Sequence, residues 1–283
     1  MKFILALLIF LLLGFEVPIE KIKASYGHIQ AYYVMNFKSQ ADCKNCFTSV
    51  EMYQEVKSIN KKLMSMSYVK ASSFVIKNNK DSTYLITSDH VCKEVEVFLK
   101  DKKFKILADD LTKTILAKNS KNKVYLDFQK MYEMVPKAYV YSFNGTKHEI
   151  KNVVLSDPSI DTCAIETYDS WGTEVVFAKK GCVYEKIFNM SSTGGYYYKN
   201  AVSFREGFVN GIVKELDMQD KTYKNVNLYT LTVKPGSSGS AVYNKNGEVC
   251  GSVNISFVKV DLSAGASYVD LFRFYERLQK KIH

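Results

Sequence analysis

Two patterns of apolar residues alternate along the chain, and the first dominates its body. From residue 72 onward, short runs rich in β-branched and aromatic residues recur, among them SSFVI, TYLIT, EVEVFL, AYVYSF, NLYTLTV and EVCGSVNISFVKV. Turn-forming clusters such as KNNKDS, FNGTK and NKNGE separate them. Many short strands at this spacing are typical of an antiparallel barrel or sandwich. The body of the chain is therefore predicted to be mainly β.

The second pattern is helical spacing, which appears near both ends. In residues 45–68 the apolar positions recur at helical intervals, which predicts a helix that packs on the domain as an N-terminal extension. The C-terminal stretch YVDLFRFYERLQKKI places its apolar residues on one helical face, with Asp270 as the predicted cap and lysines in the last turn. Residues 105–122 break the β pattern and are predicted to be a helical or irregular insertion.

The first residues have the pattern of an export signal. MKFILALLIFLLLGF is one lysine followed by an unbroken apolar run at residues 3–15. This run has the length of a signal-peptide core and is short for a bilayer-spanning helix of roughly 20 residues. Ala24 is a candidate cleavage position in a poor A-x-A context, so an uncleaved membrane anchor stays open. We expect the body of the chain to be exported, either periplasmic or secreted, or tethered to the membrane through residues 3–15.

The composition and net charge of the chain indicate which kinds of partner and cofactor to expect. The 283 residues are 47% hydrophobic, which fits one large domain or two small ones. The net charge is +10, but the lysines are scattered, so we expect a lysine-rich surface and no nucleic-acid partner. The six cysteines do not reveal their pairing. Cys43 and Cys46 form a C-x-x-C without a second pair or a nearby histidine, so we predict a structural role for them, no metal and no cofactor.

The segment VKPGSSGSAVYN, residues 233–244, is the strongest candidate for a functional loop. Glycine and proline are scarce in this chain, with 14 and 4 in all, yet Pro235, Gly236 and Gly239 surround three serines here. An apolar strand follows at once. A flexible linker has this composition, and so has a loop that fixes one hydroxyl. A nearby imidazole base distinguishes the second case.

The four histidines leave one good candidate for that base. His90 ends the run YLITSDHVC, where a strand meets small and polar residues, so we expect its ring at the mouth of a barrel. His28 lies by the candidate cleavage region and His283 is the last residue. His148 follows a hairpin turn, where we expect a histidine on a strand surface.

Asp161 completes a set of three catalytic residue types with His90 and Ser238. Asp161 opens the alternating run DTCAIE, and an aspartate at the head of a mostly buried strand is costly unless a group donates to it. In such a set the imidazole takes the hydroxyl proton and the carboxylate fixes the tautomer of the ring. Backbone N–H groups of Gly236 and Ser238 are placed to stabilise the oxyanion. Gly236 and Gly239 flank Ser238 in this arrangement, so Ser238 is the predicted nucleophile.

The ordered motifs resemble those of the trypsin-like (chymotrypsin-fold, S1-type) serine proteases, most closely the HtrA/Deg type without a PDZ domain. YLITSDHV resembles the family's histidine motif, YSFNGTKHEIKNVVLSDPSIDTCAIE its aspartate motif and KPGSSGSAVYNKNGEVCGSVN its serine motif. The resemblance runs from about residue 70 to the C-terminus. It implies a double antiparallel β-barrel with an N-terminal helical extension and a C-terminal helix. It also implies a serine endopeptidase that acts on a protein or peptide substrate through an acyl-enzyme intermediate.

The apolar run, the helical spacing and the resemblance together predict a division of the chain. Residues 1–24 would be the signal peptide or anchor, residues 25–69 a largely helical extension and residues 70–283 the protease domain. Asp89 before His90 departs from the family pattern, as does Ser240, which stands where a second glycine is commoner.

The pocket for the P1 side chain, which precedes the cleaved bond, is implied to lie between two segments. The implied substrate-binding residues are Thr232, Asn254, Ile255 and Ser256. No acidic residue stands where the family selects lysine or arginine, so apolar or small P1 residues are expected.

Other functions fit the sequence less well. A catalytically inactive, protease-like binding module remains the alternative. In that case Ser240 and the insertion would indicate that the substrate groove binds a partner without cleaving it. An α/β-hydrolase needs G-x-S-x-G and a later histidine, and only His283 follows the loop. A subtilisin order would need Asp81 or Asp89 and a fold with alternating helices. A membrane-tethered structural protein leaves the ordered motifs unexplained. The oligomeric state stays open.

Overall fold

The computed structural model describes residues 17–37, 61, 63–64, 69–100, 132–218, 221–257 and 260–282. This part of the chain is mainly β and contains a closed antiparallel barrel, a second sheet, a short N-terminal helix and a longer C-terminal helix. The predicted fold class is confirmed. Within the same ranges no helix has the length and apolar character needed to cross a membrane. The apolar run at residues 3–15, the C-x-x-C and the insertion at 105–122 lie outside the described residues.

Six strands form the first barrel, in the order β1-β2-β3-β6-β5-β4, and every neighbouring pair is antiparallel. Helix α1 precedes them and helix α2 follows β3. The elements are α1 (Ile19–Ser25), β1 (Tyr26–Phe37), β2 (Val69–Asn78), β3 (Thr83–Thr87), α2 (Asp89–Lys100), β4 (Tyr132–Ser142), β5 (Lys147–Asp157) and β6 (Thr162–Thr167). Inward-pointing aliphatic side chains such as Ile29, Val75, Leu85, Val140 and Ile165 fill the interior.

Strand β1 corrects the predicted division of the chain. The sequence-based division assigns residues 25–69 to a largely helical extension, but Tyr26–Phe37 is a strand. It pairs with β2 on one side and β4 on the other, and so closes the barrel. Its sequence YGHIQAYYVMNF is rich in aromatic and β-branched residues, which favour a strand. Most of the helix predicted at 45–68 lies outside the described residues, and within it Lys61, Leu63 and Met64 are helical.

A second error concerns the run EVEVFL, which was expected to form a strand. It lies in α2, whose buried face carries Val91, Val95 and Phe98 at helical spacing. These side chains pack into the core of the first barrel. The alternation of glutamate and valine is therefore a local coincidence within a helical pattern.

The second unit is an eight-stranded sheet in the order β13-β14-β10-β9-β8-β11-β12-β7. An isolated bridge between Gly251 and Ser267 joins β12 to the residue after β14, so the sheet curls back on itself. Helix α3 follows. The elements are β7 (Val176–Phe177), β8 (Lys186–Ser191), β9 (Ser203–Met218), β10 (Lys221–Tyr229), β11 (Ser240–Tyr243), β12 (Glu248–Val253), β13 (Ile255–Phe257), β14 (Leu262–Ala266) and α3 (Tyr268–Ile282).

Both terminal helices pack on one apolar cluster that both β units share. Ile22 of α1 is buried there beside Phe74 of β2, Ala241 of β11 and Phe274 of α3. Helix α1 is therefore part of the packed fold. Ala24, the candidate cleavage position, lies inside this helix.

Two disulfides cross-link the described part of the chain, Cys92–Cys163 and Cys182–Cys250. The first joins α2 to β6 across 71 residues of sequence. Closing a loop of that length removes conformational entropy from the unfolded chain, which is worth about 4 kcal/mol in the loop-entropy treatment.

Replacing Cys92 and Cys163 together with alanine is expected to lower the free energy of unfolding by about 4 kcal/mol. The measurement is urea unfolding of the oxidised protein at neutral pH, with reduction of the wild-type protein as a parallel route to loss of the bond. An unfolding midpoint equal to that of the wild type would show that this disulfide does not stabilise the fold.

Candidate active site

His90 lies in the first turn of α2, which starts two residues after β3 ends. Its backbone N–H donates to Asp161 Oδ1 at 3.0 Å, and its ring Nδ1 lies 2.9 Å from Asp161 Oδ2. The carboxylate needs a hydrogen on Nδ1, so in the neutral ring Nε2 carries the free lone pair. The ring is partly exposed, whereas the Asp161 side chain is only 6% exposed. His90 is thus held by two bonds and keeps one nitrogen free to act as a base.

The pKa of His90 is raised above its ordinary value. Burial alone lowers the pKa of the ring, but the hydrogen bond and the negative charge of Asp161 together outweigh burial. Glu94 adds to the increase and Lys221 opposes it. The balance favours the imidazolium that forms when His90 takes a proton.

Asp161 is itself fixed by neighbouring groups. It adopts the left-handed conformation, with φ of 47°, in the turn before β6. Asn254 Nδ2 donates to the Asp161 carbonyl at 2.8 Å, and Asn254 Oδ1 accepts from Ser88 Oγ at 3.1 Å. The buried Asn254 side chain therefore links the Asp161 turn to the residue before α2. This support of the acid is a role that the sequence reasoning missed.

Ser238 is the most accessible of the three serines in the glycine-flanked loop. Ser237 and Ser240 are buried, whereas Ser238 is half-buried. Gly239 has φ of +83°, and a Cβ there would lie 2.1 Å from Thr87 Oγ1, so only glycine fits. Thr87 is the last residue of β3, and the loop therefore lies against the strand that leads into His90.

The backbone of this loop leaves two N–H groups unused. The N–H groups of Ser237 and Gly239 donate to backbone carbonyls at 3.1 and 2.7 Å. Within the described ranges, the N–H groups of Gly236 and Ser238 make no hydrogen bond. Gly236 has φ of +95°. Two free donors beside a half-buried hydroxyl are the arrangement that stabilises a developing oxyanion.

The structure brings His90 and Asp161 together and places Ser238 on the adjacent loop. Among the described side chains, no hydrogen bond joins His90 Nε2 to Ser238 Oγ, although His90 Nδ1 is bonded to Asp161. Bonds of this kind are often long before substrate binds and shorten in the reacting complex.

The implied substrate-binding residues lie on two segments that a hydrogen bond joins. Thr232 is exposed, and Ile255 and Ser256 are half-buried on the edge strand β13. Ser256 Oγ donates to the Val233 carbonyl at 2.8 Å. This bond joins the two segments directly.

Two other histidines are buried, one of them against the prediction. His148, expected on a strand surface, is buried, with Nδ1 2.6 Å from Asp169 Oδ2 and its ring stacked on Trp171. His28, for which no structural position was predicted, is fully buried in β1. Asp89 is also buried and forms an ion pair with Lys93. In the described ranges no group of three or more His, Cys, Asp or Glu side chains could hold a metal ion.

The barrel and the curled sheet have the fold of the trypsin-like peptidases. The chain belongs to the trypsin-like peptidase domain family, whose model matches residues 71–251, more than half of the chain. The protein is thus a serine protease, a hydrolase that acts on proteins or peptides.

Solved structures share this fold at low sequence identity. The active form of the Rv3671c protease from M. tuberculosis is 13% identical with a TM-score of 0.55, and the match covers 93% of this chain and 84% of that chain. The serine endoprotease from Yersinia pestis is 12% identical with a TM-score of 0.53, and the match covers 92% of this chain and 64% of that one. No curated protein sequence matches this chain.

Proposed function

We propose that the protein is a serine endopeptidase in which His90, Asp161 and Ser238 form the catalytic triad. The observation that carries the proposal is the pair of hydrogen bonds from His90 to Asp161. The backbone N–H lies 3.0 Å from Asp161 Oδ1, and the ring Nδ1 lies 2.9 Å from Asp161 Oδ2. A ring held in this way has a fixed tautomer and orientation, with Nε2 as the base. The serine loop lies against β3, directly before that ring.

The reaction follows from these groups. Ser238 Oγ attacks the peptide carbonyl carbon while His90 Nε2 takes the hydroxyl proton, and the carbonyl oxygen becomes an oxyanion bound by the N–H groups of Gly236 and Ser238. Collapse breaks the C–N bond, and His90 gives its proton to the leaving amine. Water then attacks the Ser238 ester, with His90 again as base, and releases the acid product.

An inactive, peptide-binding protease homologue is the second candidate. One observation favours it. Both Ser238 and His90 are among the described residues, and no hydrogen bond joins Ser238 Oγ to His90 Nε2, while His90 Nδ1 is bonded to Asp161. Such a protein would bind peptides at the same groove without turnover. The two candidates differ in whether Ser238 reacts.

The P1 specificity is the second part of the proposal. Thr232, Asn254, Ile255 and Ser256 would line the P1 pocket, and the bond from Ser256 Oγ to the Val233 carbonyl would limit the size of the side chain that fits there. We expect cleavage after small or short apolar residues.

A peptide library cut by the full chain tests both the function and this specificity. The wild type is expected to cleave after alanine, glycine or valine, and Ser256→Gly is expected to raise kcat/KM for leucine or phenylalanine at P1 by about tenfold, because one or two extra methylenes gain roughly 1–3 kcal/mol in an opened pocket. Mass spectrometry of the new termini is the measurement. Cleavage mainly after lysine or arginine would contradict the proposed pocket.

Export is the proposed location. Two disulfides in the described part of the chain are typical of proteins from oxidising compartments. Ile22 is buried, so cleavage after Ala24 would remove a packed helix from the domain. Residues 3–15 would therefore act as a tether or be removed before α1. N-terminal sequencing of the native protein tests this, and a mature N-terminus at residue 25 would contradict it.

A further inference from the structure

A buried polar cluster links β1 to the serine loop and has no part in the reaction steps above. His28 Nδ1 lies 2.5 Å from Ser192 Oγ, and Tyr26 Oη also bonds to that hydroxyl. All three residues are at most 2% exposed. The His28 ring stacks on Tyr197 with centroids 5.0 Å apart and planes 6° from parallel. Three partners of one hydrogen-bonded cluster are thus held inside the protein.

The His28 ring in this cluster is uncharged. Burial lowers the pKa of His28 to about 3, so its ring is neutral at physiological pH. A neutral ring can accept at Nδ1 from the Ser192 hydroxyl, while Tyr26 donates to the Ser192 oxygen. Ser192 Oγ then both donates and accepts, and its position is set from two directions.

Ser192 in turn connects to the serine loop through Ser72. The Ser192 backbone N–H donates to Ser72 Oγ at 2.9 Å, and Ser72 Oγ donates to the Gly236 carbonyl at 2.9 Å. The Ser72 backbone N–H donates to the Ser238 carbonyl at 2.9 Å. The carbonyls of both residues whose N–H groups face the oxyanion are therefore tied to the same serine.

Packing couples the same two segments without any intervening group. The turn from Ser192 to Gly195 is closed by the Gly195 N–H, which donates to the Ser192 carbonyl at 2.8 Å. Gly236 presses on this turn, since a Cβ there would lie 2.4 Å from both Gly195 N and Ser192 O. Because the two segments are in close van der Waals contact, a displacement of Ser192 must move Gly236.

From these contacts we propose that His28 and Ser192 are positioning residues that hold the Gly236 N–H in place for the oxyanion. The inference rests on the proposed function. An oxyanion donor works only within 2.7–3.1 Å of its target, so a small displacement weakens binding of the transition state more than binding of the ground state. Loss of the cluster should therefore lower kcat and leave KM nearly unchanged.

The test compares full-length variants with a cleaved peptide substrate. Ser192→Ala and His28→Leu are each expected to lower kcat by about 10- to 100-fold, less than or similar to the loss of a whole oxyanion donor, with KM within about twofold of wild type. His28→Asn keeps an acceptor near the position of Nδ1 and is expected to recover most of the lost kcat. Ser25→Ala is the matched control, because its buried hydroxyl bonds to Tyr243 Oη and to the Ile22 carbonyl, each at 3.0 Å, and to none of His28, Ser192 and Ser72.

The outcomes separate the inference from the proposed function. If Ser192→Ala lowers the melting temperature no more than Ser25→Ala does and yet lowers kcat, the inference stands. A wild-type kcat in folded Ser192→Ala overturns it, and so does a kcat in His28→Asn no better than in His28→Leu. Should His28→Leu fail to fold, Ser192→Ala and His28→Asn still decide. A wild-type chain without turnover would instead refute the proposed function.

Discussion

Ser238→Ala and His90→Ala are each expected to reduce kcat by about 10⁶-fold, and the double variant is expected to be no slower than either single variant. The reason is that the serine hydroxyl and its base act as one unit. Without His90 the hydroxyl is not deprotonated, and without Ser238 there is no nucleophile for His90 to activate. What remains should be the contribution of the oxyanion N–H groups and of substrate binding. KM should change little, because neither side chain holds the bound peptide.

Kinetics on one peptide substrate measure this prediction, with circular dichroism to verify folding. Multiplicative losses in the double variant would show that His90 and Ser238 act independently, which the proposed triad does not allow. A Ser238→Ala variant with wild-type turnover would assign the chemistry to another residue.

Asp161→Asn is expected to lower kcat about 10⁴-fold at neutral pH. An asparagine can offer its N–H₂ to the ring and so stabilise the wrong tautomer, with the hydrogen on Nε2 instead of Nδ1. The change also removes the charge that stabilises the imidazolium formed during proton transfer. Ser238 and the oxyanion donors remain, so the loss should be smaller than that in Ser238→Ala.

The same variant should shift the pH profile. Because His90 must be neutral to act as a base, kcat/KM rises with pH through the His90 pKa. Although burial lowers that pKa, the hydrogen bond and charge of Asp161 raise it above the ordinary value in the wild type. Without the charge, burial dominates, and the ascending limb should move to lower pH. An unchanged midpoint in Asp161→Asn would mean that the limb does not report His90.

The sequence predicted those parts of the molecule that depend on short-range patterns. The strand β3 leading into His90, the acid at the head of β6 and the serine loop before β11 all follow from local runs of apolar residues and turn formers. The amphipathic face of α3 follows in the same way. The order of His90, Asp161 and Ser238 along the chain suggested that the three side chains lie at one site.

The errors arise where burial depends on distant partners. His148 was expected on a surface because it follows a turn, but Asp169 and Trp171, more than twenty residues away, enclose its ring. The run EVEVFL has strand-like alternation, and only the packing of Val95 and Phe98 on the barrel reveals the helix.

Strand β1 was missed for a related reason. Its partners β2 and β4 lie about 40 and 100 residues further along the chain, so nothing local to Tyr26–Phe37 shows that the strand closes a barrel. The support that Asn254 gives to Asp161, and the link from Ser192 through Ser72 to Gly236, are likewise contacts between segments far apart in sequence.

The most direct test of the central claim is covalent labelling of the full chain with a fluorophosphonate, followed by peptide mapping. The account predicts a single adduct on Ser238 that disappears in Ser238→Ala and is strongly suppressed in His90→Ala, because the reagent needs a serine activated by its base. A folded wild-type chain without an adduct, or with the adduct on Ser237 or Ser240, would contradict the account.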